Sequence, residues 1–161
     1  MHLPFYIVAA VIFLVDQMCK ALIEARIPLG ERIEIVPGKL SLTNVRNLGA
    51  ANGLFADNRR ALMFFSAAAV YSEIKMFFEL AKHFKHNKAA WLMFAMNTGG
   101  GASNLLDRII GKHTTDYLHF FPHKKIPVVN IADIFIITGA LGLIIIYVKR
   151  LILNVMTNNC S

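Results

Sequence analysis

Asp116 and Asp133 are the residues whose type and placement best suit hydrolytic chemistry. Two carboxylates brought together near a low-dielectric boundary do not both ionise readily; one pKa rises and the pair shares a proton. In such a pair one carboxylate takes a proton from water, while the other, protonated, polarises a scissile carbonyl. Each acid also has a plainer reading. Asn130 and Asp133 have the spacing of Ncap and N3, and an acid there suits the helix dipole. Asp116 by itself reads as a solvated acid in the segment between two apolar runs.

Other charged groups stand beside this pair. Asp16 and Lys20 are spaced i, i+4 late in an apolar run. They read either as an intrahelical ion pair with a snorkelling lysine or as groups that hold a substrate. Asp107-Arg108 closes another apolar run, and Asn104, Asp107 and Arg108 share a helical face. That motif reads as an interfacial anchor or as a set that orients its neighbours. His113, Asp116, His119 and His123 raise a metal site, but their spacing matches no zinc helix motif. No serine stands in a nucleophile-elbow context. Neither a metal nor a cofactor is expected.

The elements that must position these groups are apolar. The chain has 161 residues, of which 56% are hydrophobic, and a mean hydropathy of +0.51. That is too apolar for an ordinary soluble domain and indicates one integral membrane domain over residues 1–161. The net charge of +7 sits mostly in short segments between apolar runs. This fits anionic lipid headgroups better than nucleic acid. Cys19 and Cys160 frame no disulfide or zinc site.

Four helical spans are expected, at about 3–24, 61–81, 89–107 and 130–153; a crossing needs about 20 residues. The first reads as a retained helix, because no lysine or arginine precedes it and Asp16 and Lys20 interrupt it where small residues would mark a cleavage site. The second meets Glu73, Lys75 and Glu79, of which Lys75 and Glu79 are spaced to pair. In the third, Gly99 and Ser103 form a small-xxx-small pair that permits close helix packing. Between the first two spans, residues 31–36 and 39–43 alternate polar and apolar around Pro37-Gly38, a hairpin pattern.

In an alternating four-span topology, Asp16, Asp107 and Asp133 fall on one membrane face, together with the 26–60 insert and the 108–128 segment. The other face carries the basic run 82–88, Lys149-Arg150 and the tails. Charge alone leaves the orientation open, because the basic run and a raw Lys/Arg count point in opposite directions. The residues also leave three functions open: a peptidase, an ion-coupled transporter or a non-enzymatic membrane subunit. A transporter predicts internal pseudo-symmetry and midplane ionisable groups, whereas this chain has no repeat and carries Asp107 and Asp133 at span ends.

Five motifs narrow that choice. Asp16-Gln17-Met18-Cys19-Lys20 resembles the D-Q-x-x-K segment of the bacterial lipoprotein signal peptidases (signal peptidase II). Asn47-Leu48-Gly49-Ala50-Ala51 is similar to their N-x-G-x-A segment, and residues 99–108 (GGGASNLLDR) to their G-G-x-x-G-N-x-x-D-R. Thr115-Asp116-Tyr117 falls where that family has V-x-D-aromatic, and Val129-Asn130-Ile131-Ala132-Asp133 resembles F-N-x-A-D. The motifs occur in family order along nearly the whole chain.

The resemblance implies an all-α membrane protein with four transmembrane helices and a small extracytoplasmic β-cradle, about residues 28–58, inserted between helices 1 and 2. It implies an intramembrane aspartyl endopeptidase of the bacterial cytoplasmic (inner) membrane, working as a monomer with its active site near the outer leaflet. Its substrates are prolipoproteins bearing a diacylglyceryl cysteine, cut just before that cysteine, and globomycin-type cyclic peptides inhibit it. By the same resemblance Asp116 and Asp133 are the catalytic dyad. Asn104, Asp107, Arg108, Asn130 and Ala132 shape the site, and Asp16, Lys20, Asn47 and Gly49 support it or face substrate. Five positions depart from the family pattern: Ser103 replaces glycine, Asn52 an aromatic residue and Cys19 a threonine, while Thr115 and Tyr117 flank Asp116 more polarly than usual.

Overall fold

The computed structural model describes residues 3–48, 59–110 and 113–158. Gly49 and Asn52 lie outside them. The described residues form four helices: α1 (Leu3–Arg26), α2 (Arg59–His83), α3 (Lys88–Ile110) and α4 (Ile131–Asn158). Three strands complete the fold: β1 (Arg32–Val36), β2 (Leu40–Asn47) and β3 (Thr114–Phe120).

Among the described residues, α1 and α4 are long and apolar enough to cross a membrane. Most of their surface faces away from the protein, and it is apolar there: Leu3, Ile7 and Leu14 on α1, and Ile137, Ile144 and Ile145 on α4, are all exposed. Such faces suit hydrocarbon rather than water. Helix α3 lies between these two helices and approaches both at backbone distance. A methyl group on Gly99 would stand 2.5 Å from the Ala9 carbonyl oxygen of α1, and one on Gly100 2.5 Å from that of Ala132 in α4. Gly139 of α4 meets the Met93 carbonyl as closely, at 2.5 Å. Small residues let the backbones pack where lipid supplies no hydrophobic drive between helices.

Helix α2 is less apolar, and its charges pair differently from the expectation. Lys75 lies over the Tyr71 ring at 5.9 Å, and Glu79 meets His83 at 3.4 Å. Helical side chains lean toward the N-terminus, so Lys75 reaches back to Tyr71 and leaves Glu79 to His83 in the next turn. Trp91 organises the apolar core at this end, with Leu80, Phe94 and Leu143 buried around it and Phe5 and Phe77 against its ring.

The hairpin forms as the alternation requires. Gly38 takes a positive φ of 67° in the turn, and its N–H donates to Glu34 Oε1 at 2.7 Å. The sheet is larger than the hairpin, however. Part of the segment between α3 and α4, read from sequence as a loop, is strand β3, which pairs antiparallel with the free edge of β2 to give the order β1-β2-β3. An acid in mid-strand runs against β propensity. What makes this strand is a remote edge, with Val45 opposite Asp116 and Asn47 opposite Thr114. Ile23 of α1 and Ile27 just past its end bury against Tyr117, fixing the sheet on the bundle.

Candidate active site

The beginning of α4 is a reciprocal capping box. Asn130 Oδ1 accepts the Asp133 N–H at 2.8 Å, and Asp133 Oδ2 accepts the Asn130 N–H at 3.1 Å. Both ends of the first turn thereby satisfy orphan donors. The cap and the site are the same structure, because Asp133 has a second oxygen to spare: its Oδ1 accepts the Asn104 amide of α3 at 2.8 Å.

Asn130 also reaches the other acid. Its Nδ2 donates to Asp116 Oδ1 at 2.8 Å and stands 3.1 Å from Asn104 Oδ1. Asp116 Oδ2 accepts the Asn47 amide of β2 at 2.9 Å. One fully buried asparagine thus holds the carboxylates of both Asp116 and Asp133. Burial is the chief cause that lifts Asp116 from 3.8 to about 6; the Asp133 charge adds to it, and the Asn47 and Asn130 amides oppose it.

Behind the acids lies a buried ionic group. Lys20 is 3% exposed, so it does not snorkel. Its Nζ meets Asp16 Oδ2 and Asp107 Oδ2, both at 2.6 Å, and donates to Asn104 Oδ1 at 2.9 Å. Two carboxylates and one amide oxygen from two helices surround the ammonium, the company a buried charge needs. Lys20 therefore fixes Asn104, which in turn holds Asp133. Arg108 places three carboxylates in its field, those of Asp133, Asp116 and Asp107. Its Nε is enclosed without a hydrogen-bond partner among the described residues.

Asp16 serves α4 as well as Lys20. Its Oδ1 accepts the Ala132 N–H at 3.1 Å and the Tyr117 hydroxyl at 3.2 Å, while Tyr117 accepts the Ile131 N–H at 3.3 Å. Burial and the Asp16 charge hold the Tyr117 phenol protonated, well above its ordinary range. The first-turn N–H groups of α4 are thus answered from α1, from β3 and from Asn130 itself.

Of the residues singled out from sequence, the structure gathers Asp16, Lys20, Asn47, Asn104, Asp107, Asn130, Ala132, Asp116 and Asp133 into one bonded cluster. Sequence reasoning passed over Gln17, whose amide donates to Asp107 Oδ1 at 2.6 Å and Ser103 Oγ at 3.0 Å. It took Ser103 only as small, yet its hydroxyl donates to Asp16 Oδ2 at 2.6 Å. It also missed Glu24, which accepts the Thr115 hydroxyl. Once β3 is known to be a strand, its period of two turns Thr115 and Tyr117 to one face and Asp116 to the other; no local pattern announces the partners of Gln17 and Ser103. Among the described residues no group of three or more histidine, cysteine or acidic side chains is arranged to hold a metal.

The sequence model of the family described as signal peptidase (SPase) II matches residues 8–149. Lipoprotein signal peptidases of Ectopseudomonas mendocina and Brevibacillus brevis are 31% and 35% identical to this chain, over 87% and 84% of it and 85% and 88% of their own lengths. The lipoprotein signal peptidase of Nitratidesulfovibrio vulgaris is 34% identical over 82% of this chain and 81% of its own. The fold matches that of a bacterial membrane enzyme solved by the in meso method at 2.3 Å resolution. The TM-score is 0.82 at 24% identity, covering 91% of this chain and 88% of the other. A second such structure, at 1.9 Å, gives a TM-score of 0.80 at 24% identity, with coverage of 91% and 93%. The five ordered motifs, the fold and the matched span agree, and the chain belongs to the signal peptidase II family.

Proposed function

We propose that this chain is an aspartyl endopeptidase that removes the signal peptide of diacylglyceryl-modified prolipoproteins, cutting just before the lipidated lipobox cysteine. Asp116 and Asp133 are its dyad. One carboxylate takes a proton from water as the oxygen attacks the scissile carbonyl carbon. The other, protonated, donates a hydrogen bond to the carbonyl oxygen. The tetrahedral intermediate collapses with proton transfer to the cysteine nitrogen, and the C–N bond breaks. The observation that carries this reading is Asn130, which bonds to both acids and so presents them together at the mouth of α4.

Asn104, Asp107, Arg108, Asn130 and Ala132 shape the site; Asp16, Lys20, Asn47 and Gly49 support it or face substrate. The whole chain forms one domain, with α1 to α4 crossing the bacterial inner membrane and the sheet outside the cytoplasm at the outer leaflet. The enzyme works as a monomer and is inhibited by globomycin-type cyclic peptides. No cofactor or metal takes part. Helix α2 belongs among the spans because its charged stretch, Glu73 to Glu79, approaches its basic end, where long side chains reach the interface.

The test is cleavage of a purified diacylglyceryl prolipoprotein. Asp116→Asn and Asp133→Asn should each lower kcat/KM by about a thousandfold or more, with the helical circular dichroism unchanged. Full turnover by either variant removes the dyad assignment.

A further inference from the structure

At the end of the bundle opposite the acids, the end of α2, the start of α3 and the last third of α4 line an open cavity of about 840 Å³. Its walls carry Lys82, His83, Lys85, His86, Lys149 and Arg150, and no acid. Glu79, one turn before His83 on α2, meets it at 3.4 Å. Arg150 is fixed rather than free to swing. Its guanidinium lies 4.7 Å from the centre of the Phe84 ring and donates to the His83 carbonyl.

A second cavity of about 550 Å³ shares Phe84 and Ile146 with the first. It runs between α2 and α4 and is walled by Met76, Leu80, Leu143 and Tyr147, with Glu79 beside the basic end and Asn97 deeper along α3. The basic chamber and the apolar groove thus adjoin along Phe84 and Ile146. Their depth is also suitable. At 1.5 Å per residue, Lys149 lies roughly 24 Å along α4 from Asp133. That approaches the ~30 Å thickness of bilayer hydrocarbon, so the chamber sits at headgroup level when the acids sit at the other interface.

We propose that the two cavities together bind one anionic phospholipid. Its phosphate lies among Lys82, Lys85, Lys149 and Arg150, and one acyl chain lies in the α2–α4 groove. A free phosphate offers the same charge to the chamber but nothing to the groove. The chamber selects anionic lipid over zwitterionic lipid by charge, since each basic side chain near a phosphate contributes about fivefold in binding.

Native mass spectrometry of the full chain in neutral detergent tests this, with phosphatidylglycerol, phosphatidylcholine and glycerol 3-phosphate as probes. Phosphatidylglycerol should be retained at least about tenfold better than phosphatidylcholine, and excess glycerol 3-phosphate should not displace it. Lys82→Gln, Lys85→Gln and Lys149→Gln combined should abolish that preference, and arginine at the same three positions should restore it. Equal retention of the two lipids overturns the proposal, as does a glutamine variant that keeps the preference. Displacement by glycerol 3-phosphate would make this a free-anion site and overturn the lipid assignment. The wild-type comparison decides the matter even where the glutamine variant fails to fold.

Discussion

Asp133 sits in the first turn of α4, where its carboxylate closes a capping box with a residue three positions away. Asp116 sits in the middle of β3, held by Asn47 of β2 and by Asn130 at the start of α4. Helix formation alone places the first acid. The second is placed by a strand that exists only because a remote edge accepts it, and that strand is fastened to α1 on the side away from the acid. The difference teaches that the two halves of the pair should fail in different ways. Changes near Asp133 should register in both stability and turnover, whereas changes around Asp116 should register first in its titration and alignment.

Asn130 is the point where the two halves meet, so among the residues that hold the acids its removal has the largest expected effect. Asn130→Ala takes away the cap and the amide that reaches Asp116. Stability should fall by about 1 kcal/mol and kcat/KM by about a hundredfold or more, the scale of a misplaced catalytic group. Asn130→Ser separates the two losses. Serine keeps a cap oxygen and lacks the amide donor, so most of the stability should return while turnover stays low. A serine variant with full turnover would show that the amide's hold on Asp116 is irrelevant and would end the comparison.

That division also marks what the sequence made legible. The Asn130–Asp133 spacing is local and visible, as are the four helices and the hairpin around Pro37-Gly38. The cap and the catalytic reading of Asp133 stood as alternatives, yet a carboxylate has two oxygens, and closing the cap with one leaves the other to face Asn104. Strand β3 was not legible, because Thr-Thr-Asp-Tyr carries its polar residues on both faces and the deciding partner is β2, some seventy residues away. Lys20 was legible only in part, for a related reason: its i, i+4 pair with Asp16 forms, but it does not snorkel. Near a helix end a lysine ordinarily reaches for water; here Asp107 and Asn104 of α3 enclose it, and no local pattern on α1 announces them. The five motifs did collect these residues in one family pattern, without saying which atom holds which.

Asn47 is the next lever, and it acts on one acid. Its amide stabilises the ionised form of Asp116, so Asn47→Ala should raise that pKa further above about 6. The limb of the pH–rate profile that titrates Asp116 should then move to higher pH, whichever acid holds the shared proton. A limb that stays in place or moves down would exclude Asp116 from the titrating pair. Stability carries the same sign. Between its ordinary 3.8 and about 6, Asp116 keeps a proton in the folded protein that the unfolded chain releases. Its contribution is fully present below that window and is lost as pH rises through it, and Asp116→Asn should remove that slope from the thermal midpoint measured across pH 4 to 7.

The smallest effects should come from the far face of β3, and their ranking tests how firmly α1 holds the strand. Tyr117→Phe removes a buried hydroxyl that donates to Asp16 and accepts from Ile131. Losing it should cost about 1 kcal/mol and lower kcat severalfold with KM little changed, since it bonds to groups that align the two acids. Thr115→Val is nearly isosteric and cuts only the bond to Glu24, an exposed side chain whose acceptor is otherwise free to meet water. Its cost should stay within about 0.5 kcal/mol and its kcat near wild type. If Thr115→Val proved the more damaging of the two, the strand would be set by its contact at Glu24 rather than by Tyr117. The link from Asp16 through the phenol to the start of α4 would then have no part in aligning the acids.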